Sequence, residues 1–178
     1  TITAASTLAF SLSTLEVALR HISAYGFQKV ELSDQVTHSQ HFGVDSVDPT
    51  EVRRQLARHS LEPVAVNACI LAVFDTGRWS HARLPVEAQS AAETEQIREA
   101  KKRLIFLKLH EPEQAAVYVD RAQRLVDKAK ATGIPSVCLQ GGRRKQIENV
   151  EDELRVAAGV IDGLAEYAAE RGVTILLE

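Results

Sequence analysis

One pattern recurs along the 178-residue chain: a short apolar segment, then an amphipathic segment with apolar residues three or four positions apart, then a glycine. Gly26, Gly133 and Gly172 stand where the helical spacing ends, and glycine readily adopts the left-handed conformation that closes a helix. The pattern predicts alternating strands and helices. An α/β fold with a parallel sheet and right-handed crossovers follows.

The pattern predicts five strands, at about residues 7–11, 29–33, 62–67, 136–140 and 173–177. Ser13 or Thr14 is expected to cap the first helix, and Asp48 followed by Pro49 to begin the second. The apolar residues expected to face the core from the four helices are Leu15, Leu19 and Ile22; Val52 and Leu56; Ala115, Val119, Ala122, Val126 and Ala129; and Leu154, Ala158, Ile161, Ala165 and Ala168.

One segment interrupts the repeat, at about residues 70–110. Its charged second part predicts a helix from about Val86 to Leu109. No linker-like composition separates this segment from its flanks. We therefore expect a single α/β domain over residues 1–178 with an insertion at about 70–110.

Five parallel strands are compatible with two architectures, a doubly wound sheet and a barrel. A doubly wound sheet normally covers its last strand with a helix, whereas this sequence ends on the predicted fifth strand. A (β/α)8 TIM barrel typically takes about 250 residues, and these five strands would be its first part. We favour the barrel and expect three further βα units beyond Glu178. Strands one and five would otherwise be open edges, which favour association into a homo-oligomer.

The amino-acid composition argues against several classes of function. The chain has 21 Lys and Arg against 24 Asp and Glu, which lacks the basic excess typical of nucleic-acid binding. No apolar stretch reaches about 18 residues, and the first residues do not resemble a secretion signal. We expect a cytoplasmic protein that acts on a small molecule, with neither nucleic acid nor membrane as partner. Cys69 and Cys138 are expected to be reduced, buried thiols rather than a disulfide or a zinc site.

Several segments together resemble a known superfamily. They are residues 8–11 (LAFS), 24–32 (AYGFQKVEL), 131–137 (ATGIPSV) and 169–178 (AERGVTILLE). In this order they resemble the xylose isomerase-like TIM barrels, the sugar phosphate isomerases and epimerases that also include endonuclease IV.

The resemblance implies a divalent metal, Mn, Mg, Zn or Co. In such proteins a glutamate that ends the fifth strand is the first metal ligand, and Glu178 matches it by position. The aspartate, histidine and second glutamate that complete the set come from strands six to eight and have no counterpart here. The metal would polarise a substrate carbonyl or hydroxyl, and Glu178 would serve in acid and base catalysis.

Substrate-binding residues are expected where strands end, because active sites of TIM barrels gather at the carboxyl ends of the strands. The candidates are Glu31, His38, His41, Asn67 and Gln140. For His38 and His41 the alternative is an exposed loop residue. For Asn67 it is a turn at the rim. For Glu31, a charged residue inside a short strand, it is pairing with a structural cation. The basic residues at 143–145 could bind an anion or simply be solvated.

The function implied is that of a metal-dependent isomerase or epimerase, with dehydratase or lyase variants, acting on a small sugar, polyol or keto-acid. The alternative from another class is a non-catalytic α/β domain that binds a ligand or partner through residues 70–110. A DNA repair enzyme similar to endonuclease IV is disfavoured by the charge, and because Asn67-Ala68-Cys69 stands where a histidine would be expected.

Overall fold

The computed structural model describes residues 3–10, 13–34, 41–44, 48–68, 70, 72–74, 104–141 and 150–178. The strands are β1 (Ala5–Ser6), β2 (Lys29–Asp34), β3 (Glu62–Ala68), β4 (Ala72–Phe74), β5 (Leu104–Phe106), β6 (Ser136–Leu139) and β7 (Thr174–Leu177). The helices are α1 (Leu15–Ala24), α2 (Pro49–Arg58), α3 (Pro112–Thr132) and α4 (Val150–Ala169), and a 3-10 turn covers Thr7–Phe10.

Five strands form one parallel sheet in the order β1, β2, β3, β6, β7, which is also their order along the chain. A doubly wound sheet reverses its strand order at a switch point, and this sheet does not. The doubly wound alternative is therefore wrong. The consecutive order is that of a partial TIM barrel.

The ends of the helices follow from their capping residues. The Thr14 hydroxyl accepts a hydrogen bond from the Val17 N–H at 3.4 Å, and the Asp48 carboxylate accepts one from the Thr50 N–H at 2.8 Å. Pro49 fills the first position of α2, where the missing N–H has no cost. Gly133 ends α3 with a φ of 81°, a conformation that favours glycine. These expected helix boundaries are confirmed.

The hydrophobic core lies between the helices and one face of the sheet. Each helix packs against the next, α1 on α2, α2 on α3 and α3 on α4. Val30, Leu32, Val66, Val137 and Leu139 from the strands join the buried faces of these helices in one cluster. The described helices therefore form a single layer on one side of the sheet, as in a barrel wall.

A side-chain cluster also joins α3 to α4. The Tyr167 hydroxyl and the Arg171 Nε both donate to the Asp127 carboxylate, at 2.9 and 2.7 Å. The Arg171 guanidinium lies 3.3 Å from the centre of the Tyr167 ring. This cluster fixes the two helices beside each other where α4 leads into β7.

The first strand differs from its prediction. It covers Ala5–Ser6 rather than residues 7–11, and the chain then turns at Thr7–Phe10. The side chain of Thr7 explains the early end, because its hydroxyl accepts the Ser33 N–H at 2.9 Å. A side chain thus takes the bond that a longer strand would have made through its backbone.

The buried face of α4 also differs from its prediction. Ile161 and Ala168 face the core as expected, but Leu154 is 64% exposed, and Ala158 and Ala165 are exposed too. The residues that pack inward are Ala157, Val160, Ile161, Leu164 and Ala168. Two rows of apolar residues, called apolar tracks below, run along this helix with the same helical spacing. The spacing alone therefore does not indicate which row is buried.

Part of the predicted helix in the insertion is wrong. Leu104–Phe106 is a strand, paired antiparallel with Ala72–Phe74, rather than the end of a helix from Val86 to Leu109. Three consecutive large apolar residues, one of them β-branched, suit a strand. The rest of that predicted helix lies outside the described residues. Among the helices described, none combines the length and apolarity that a membrane span requires.

Candidate functional site

The face of the sheet away from the helices is polar. Successive side chains of a strand point to opposite faces, so Val30 and Leu32 in the core place Glu31 and Ser33 on the other face. By the same alternation Asn67 and Cys138 lie there, and both are half-buried. The inner face of a TIM barrel is usually filled by bulky branched residues. On this face the polar side chains lie together with the apolar Leu176.

A row of residues on this inner face is fixed by the strand register. Ser33 pairs with Asn67, Asn67 with Cys138, and Cys138 with Leu176. Glu178 follows Leu176 by two positions and so continues on the same face. The row lies toward the carboxyl ends of four parallel strands, which is where Glu178 was expected.

Glu178 and Asn67 are in contact. The Asn67 Nδ2 donates to the Glu178 Oε2 at 3.4 Å, and the Glu178 backbone N–H donates to the Leu139 carbonyl at 3.0 Å. The structure thus brings together two predicted site residues that are 111 positions apart in sequence. Among the described residues Glu178 is exposed.

Cys138 lies between two carboxylates. Burial raises the pKa of its thiol, and the negative charges of Glu178 and Glu31 raise that pKa further. The thiol therefore stays protonated and neutral at pH 7. The charge of Glu31, another predicted site residue, thus acts on the same thiol as the charge of Glu178. Glu31, Asn67, Cys138 and Glu178 are called the inner-face cluster below.

Cys138 was not a predicted site residue. The sequence had suggested a buried core thiol, whereas the structure places it half-buried on the polar face. The signal that could have found it is the alternation along β6, since Cys138 and Gln140 share one face while Val137 and Leu139 share the other. Cys69 lies outside the described residues.

Gln140 lies at the carboxyl end of β6. Its main-chain carbonyl accepts a hydrogen bond from the fully buried Tyr118 hydroxyl at 3.0 Å. This bond ties the end of β6 to α3. Tyr118 thus supports the rim of the site. The sequence did not indicate this role, because Tyr118 looks like any aromatic residue of a hydrophobic core.

His41 is buried, with only 4% of its surface exposed. Its Nε2 lies 2.8 Å from the Ser13 carbonyl, in the segment that follows β1. No described contact joins it to the inner-face cluster. His38 lies outside the described residues, as do the basic residues 143–145.

The burial of His41 predicts a pH effect on stability. Burial lowers the pKa of its ring, outweighing the opposing effect of the hydrogen bond to Ser13. Because the unfolded state then binds the proton more readily, stability should fall as the pH drops below the unfolded-state value of about 6.5. Urea unfolding should show that the free energy of unfolding falls less between pH 7.5 and pH 5.5 in His41→Gln than in wild type. An equal loss in both proteins would contradict this role.

The inner-face cluster contains two carboxylates, those of Glu31 and Glu178, and carboxylate oxygens are the kind of ligand that hard divalent cations prefer. Within the part of the chain that the structure describes, no three or more His, Cys, Asp or Glu side chains are grouped to hold a metal. The described residues therefore do not complete a metal site.

The sequence matches no protein-family model and no curated protein. Solved structures do match. An L-ribulose 3-epimerase aligns over 98% of this chain and 48% of its own, with a TM-score of 0.64 and 19% identity. A D-allulose 3-epimerase from Methylomonas sp. in complex with D-allulose aligns over 98% and 49%, with a TM-score of 0.62 and 14% identity. The IOLI protein with a zinc atom aligns over 98% and 50%, with a TM-score of 0.61 and 15% identity.

The chain has the fold of the xylose isomerase-like TIM barrels. Another matching structure is a xylose isomerase domain protein from Planctomyces limnophilus, with a TM-score of 0.53 and 17% identity. The expected resemblance is confirmed at the level of the fold. The chain spans about half the length of each of these four structures.

Proposed function

We propose that this protein is a sugar isomerase or epimerase that moves a proton on the carbon beside a carbonyl group. The observation that carries this proposal is the contact between Glu178 and Asn67 at the carboxyl ends of parallel strands. The described fold is shared with an L-ribulose 3-epimerase and a D-allulose 3-epimerase, which supports a small ketose as the substrate.

Glu178 is the proposed acid and base. A carboxylate that reaches the carbon-bound proton can remove it and return it, and such catalysis contributes about 10²- to 10⁴-fold in rate. The Asn67 amide donates to one carboxylate oxygen and so orients the group. The other oxygen remains available for the substrate.

Glu178 is also the proposed ligand of a divalent metal, one of Mn, Mg, Zn or Co. When bound, such a metal would polarise the substrate carbonyl and make the neighbouring proton more acidic. The IOLI protein, which aligns with this chain, holds a zinc atom, and this supports a bound metal in a protein of this fold.

Glu31, Asn67 and Gln140 are the proposed substrate-binding residues, together with His38 and His41. The Glu31 carboxylate accepts hydrogen bonds and suits substrate hydroxyls. The neutral Cys138 thiol between the two carboxylates fills space without adding a third negative charge. The cluster is thus suited to a neutral, hydroxyl-rich molecule such as a sugar in the cytoplasm.

The proposal is tested by proton exchange. The protein should be incubated in D₂O with D-allulose, D-tagatose or L-ribulose, each with and without Mn²⁺, and the sugars followed by NMR. We expect deuterium to enter at the carbon beside the carbonyl of at least one ketose, with formation of its epimer or aldose isomer.

Metal dependence is read from the same samples. Loss of exchange with a chelator and recovery with Mn²⁺ would support the proposed metal. Ketose binding without exchange would instead favour the non-catalytic binding domain, and would contradict the proposed reaction.

A further inference from the structure

The main-chain N–H of Gly141 follows the carboxyl end of β6 and has no hydrogen-bond partner among the described residues. Gly141 is exposed. A Cβ atom placed on it would meet nothing within 4 Å beyond its chain neighbours, so the space beside this residue is open. The N–H is therefore a donor that solvent or a ligand can reach.

The direction of this N–H follows from the two carbonyl groups before it, because successive carbonyls of an extended chain point to opposite sides. The Leu139 carbonyl points toward β7, where it accepts the Glu178 N–H at 3.0 Å. The Gln140 carbonyl points away from β7 and accepts the Tyr118 hydroxyl at 3.0 Å. None of the described peptide bonds is cis, and in a trans peptide the C=O and the N–H point in opposite directions. The Gly141 N–H therefore points toward the side of β7, where Glu178 lies.

Tyr118 holds this peptide in its orientation. The Tyr118 side chain is fully buried, and burial raises the pKa of its hydroxyl, which therefore stays protonated and donates. Rotation of the peptide between Gln140 and Gly141 would leave that buried hydroxyl without its acceptor, which is costly. Gly141 has no Cβ to restrict the peptide, so the hydrogen bond from Tyr118 supplies the restriction.

The proposed reaction calls for a donor on this side of the strand. When the Glu178 carboxylate takes the proton from carbon, the electron pair of the C–H bond forms a carbon–carbon double bond. The π pair of the carbonyl bond then moves onto its oxygen, which becomes negative, and return of the proton reverses both shifts. A fixed N–H that points to the place where negative charge develops stabilises the transition state.

We infer that the Gly141 N–H, oriented by Tyr118, donates a hydrogen bond to the substrate carbonyl oxygen as that oxygen becomes negative. The inference rests on the proposed function and adds two residues to it. Gly141 contacts the substrate through its main chain. Tyr118 acts only through the peptide that it holds and is a positioning residue.

The first test removes the hydroxyl that holds the peptide. Deuterium exchange in D₂O should be measured over a range of concentrations of D-allulose, D-tagatose and L-ribulose, in wild type and in Tyr118→Phe. We expect Tyr118→Phe to lower kcat at least about tenfold and to leave KM within about twofold, because the donor acts on the transition state. A kcat equal to that of wild type, or a rise in KM alone, overturns the inference.

The matched control for this test is Tyr167→Phe. It removes the same phenolic hydroxyl, but the Tyr167 hydroxyl donates to Asp127 where α4 leads into β7, away from the rim. We expect both kinetic constants within about twofold of wild type, as for most substitutions outside a site. Urea unfolding establishes that both variants are folded under the assay conditions. An equal fall in kcat in the two variants overturns the inference, since it would reflect a general loss of packing.

The second test removes the N–H itself. Gly141→Pro has no N–H at this position, whereas Gly141→Ala keeps it and adds a Cβ atom with nothing within 4 Å. Loss of one donor to a developing negative charge lowers kcat by about 10²- to 10³-fold. We expect Gly141→Pro to lose at least about 100-fold in kcat, and Gly141→Ala to exchange at least about tenfold faster than Gly141→Pro. Equal exchange in the two folded variants overturns the donor.

The proposed reaction and the donor fail in different ways, which NMR of the ¹⁵N-labelled protein separates. Suppose that a ketose binds without exchange, and that the Gly141 amide proton moves downfield in wild type but not in Tyr118→Phe. This result contradicts the reaction and supports the donor. Exchange that is as fast in Tyr118→Phe and Gly141→Pro as in wild type supports the reaction and overturns the donor. No binding of any of the three ketoses overturns both.

Discussion

Replacing Glu178 by glutamine is expected to lower kcat/KM for the ketose substrate by at least about 100-fold, the lower range for loss of a general acid or base. The amide is nearly the same size as the carboxylate and can still contact Asn67, so the fold should be unaffected. It cannot take up the carbon-bound proton. Deuterium exchange in D₂O measures this step directly, since it requires no knowledge of the final product.

Metal content gives a second readout of the same variant. An amide oxygen is a weaker ligand for a hard cation than a carboxylate, so elemental analysis should find less bound metal in Glu178→Gln than in wild type. The two roles proposed for Glu178 then separate. Loss of exchange with metal retained would mean that Glu178 acts on the proton and not on the metal.

The control for this experiment is Glu62→Gln. Glu62 lies at the first residue of β3, at the opposite end of the sheet from Glu178, and its carboxylate is exposed beside Lys29 at 3.7 Å. This variant changes charge equally and should keep exchange and metal content within about twofold of wild type, since exposed ion pairs contribute little. Equal loss in both variants would remove Glu178 from the proposed mechanism.

Most of the fold could be predicted because local signals agreed with one another. Asp48 before Pro49 begins α2, Gly133 ends α3 with a positive φ, and the expected parallel order of strands is observed. These features depend on a few adjacent residues and on the handedness of the chain. They do not require knowledge of distant contacts.

What the sequence could not predict depends on such distant contacts. The early end of β1 results from the bond between Thr7 and Ser33, which are 26 positions apart. The buried face of α4 is chosen by what it packs against, because Leu154 and Ala157 both belong to apolar tracks of helical spacing. Neither outcome is encoded in the local sequence.

In the candidate site too, some features could be predicted from the local sequence and others depend on distant contacts. The resemblance to a known superfamily pointed to Glu178, and the end of a strand pointed to Asn67. Both roles remain predictions, and the structure adds the contact between the two side chains. The role of Cys138 required the strand register, which places it between those two residues and within the field of Glu31. The buried state of His41 required knowledge of its partner, the Ser13 carbonyl.

Truncating Leu125 to alanine is expected to have the largest effect on stability. Leu125 is fully buried in α3, the helix that packs against both α2 and α4. Removing a buried leucine side chain costs about 2–5 kcal/mol, through lost apolar burial and the cavity that remains. This is a large fraction of the roughly 5–15 kcal/mol by which a typical domain is stable.

Urea unfolding at pH 7.5 would measure this loss, with Leu154→Ala as the matched control. The chemical change is the same, but Leu154 is largely exposed on α4, so we expect a change within about 0.5 kcal/mol. The comparison also decides between the two apolar tracks of α4, since the sequence had placed Leu154 in the core. Comparable losses at Leu125 and Leu154 would mean that the Leu154 track is covered in the folded protein, and that the buried face of α4 extends beyond Ala157, Ile161 and Leu164.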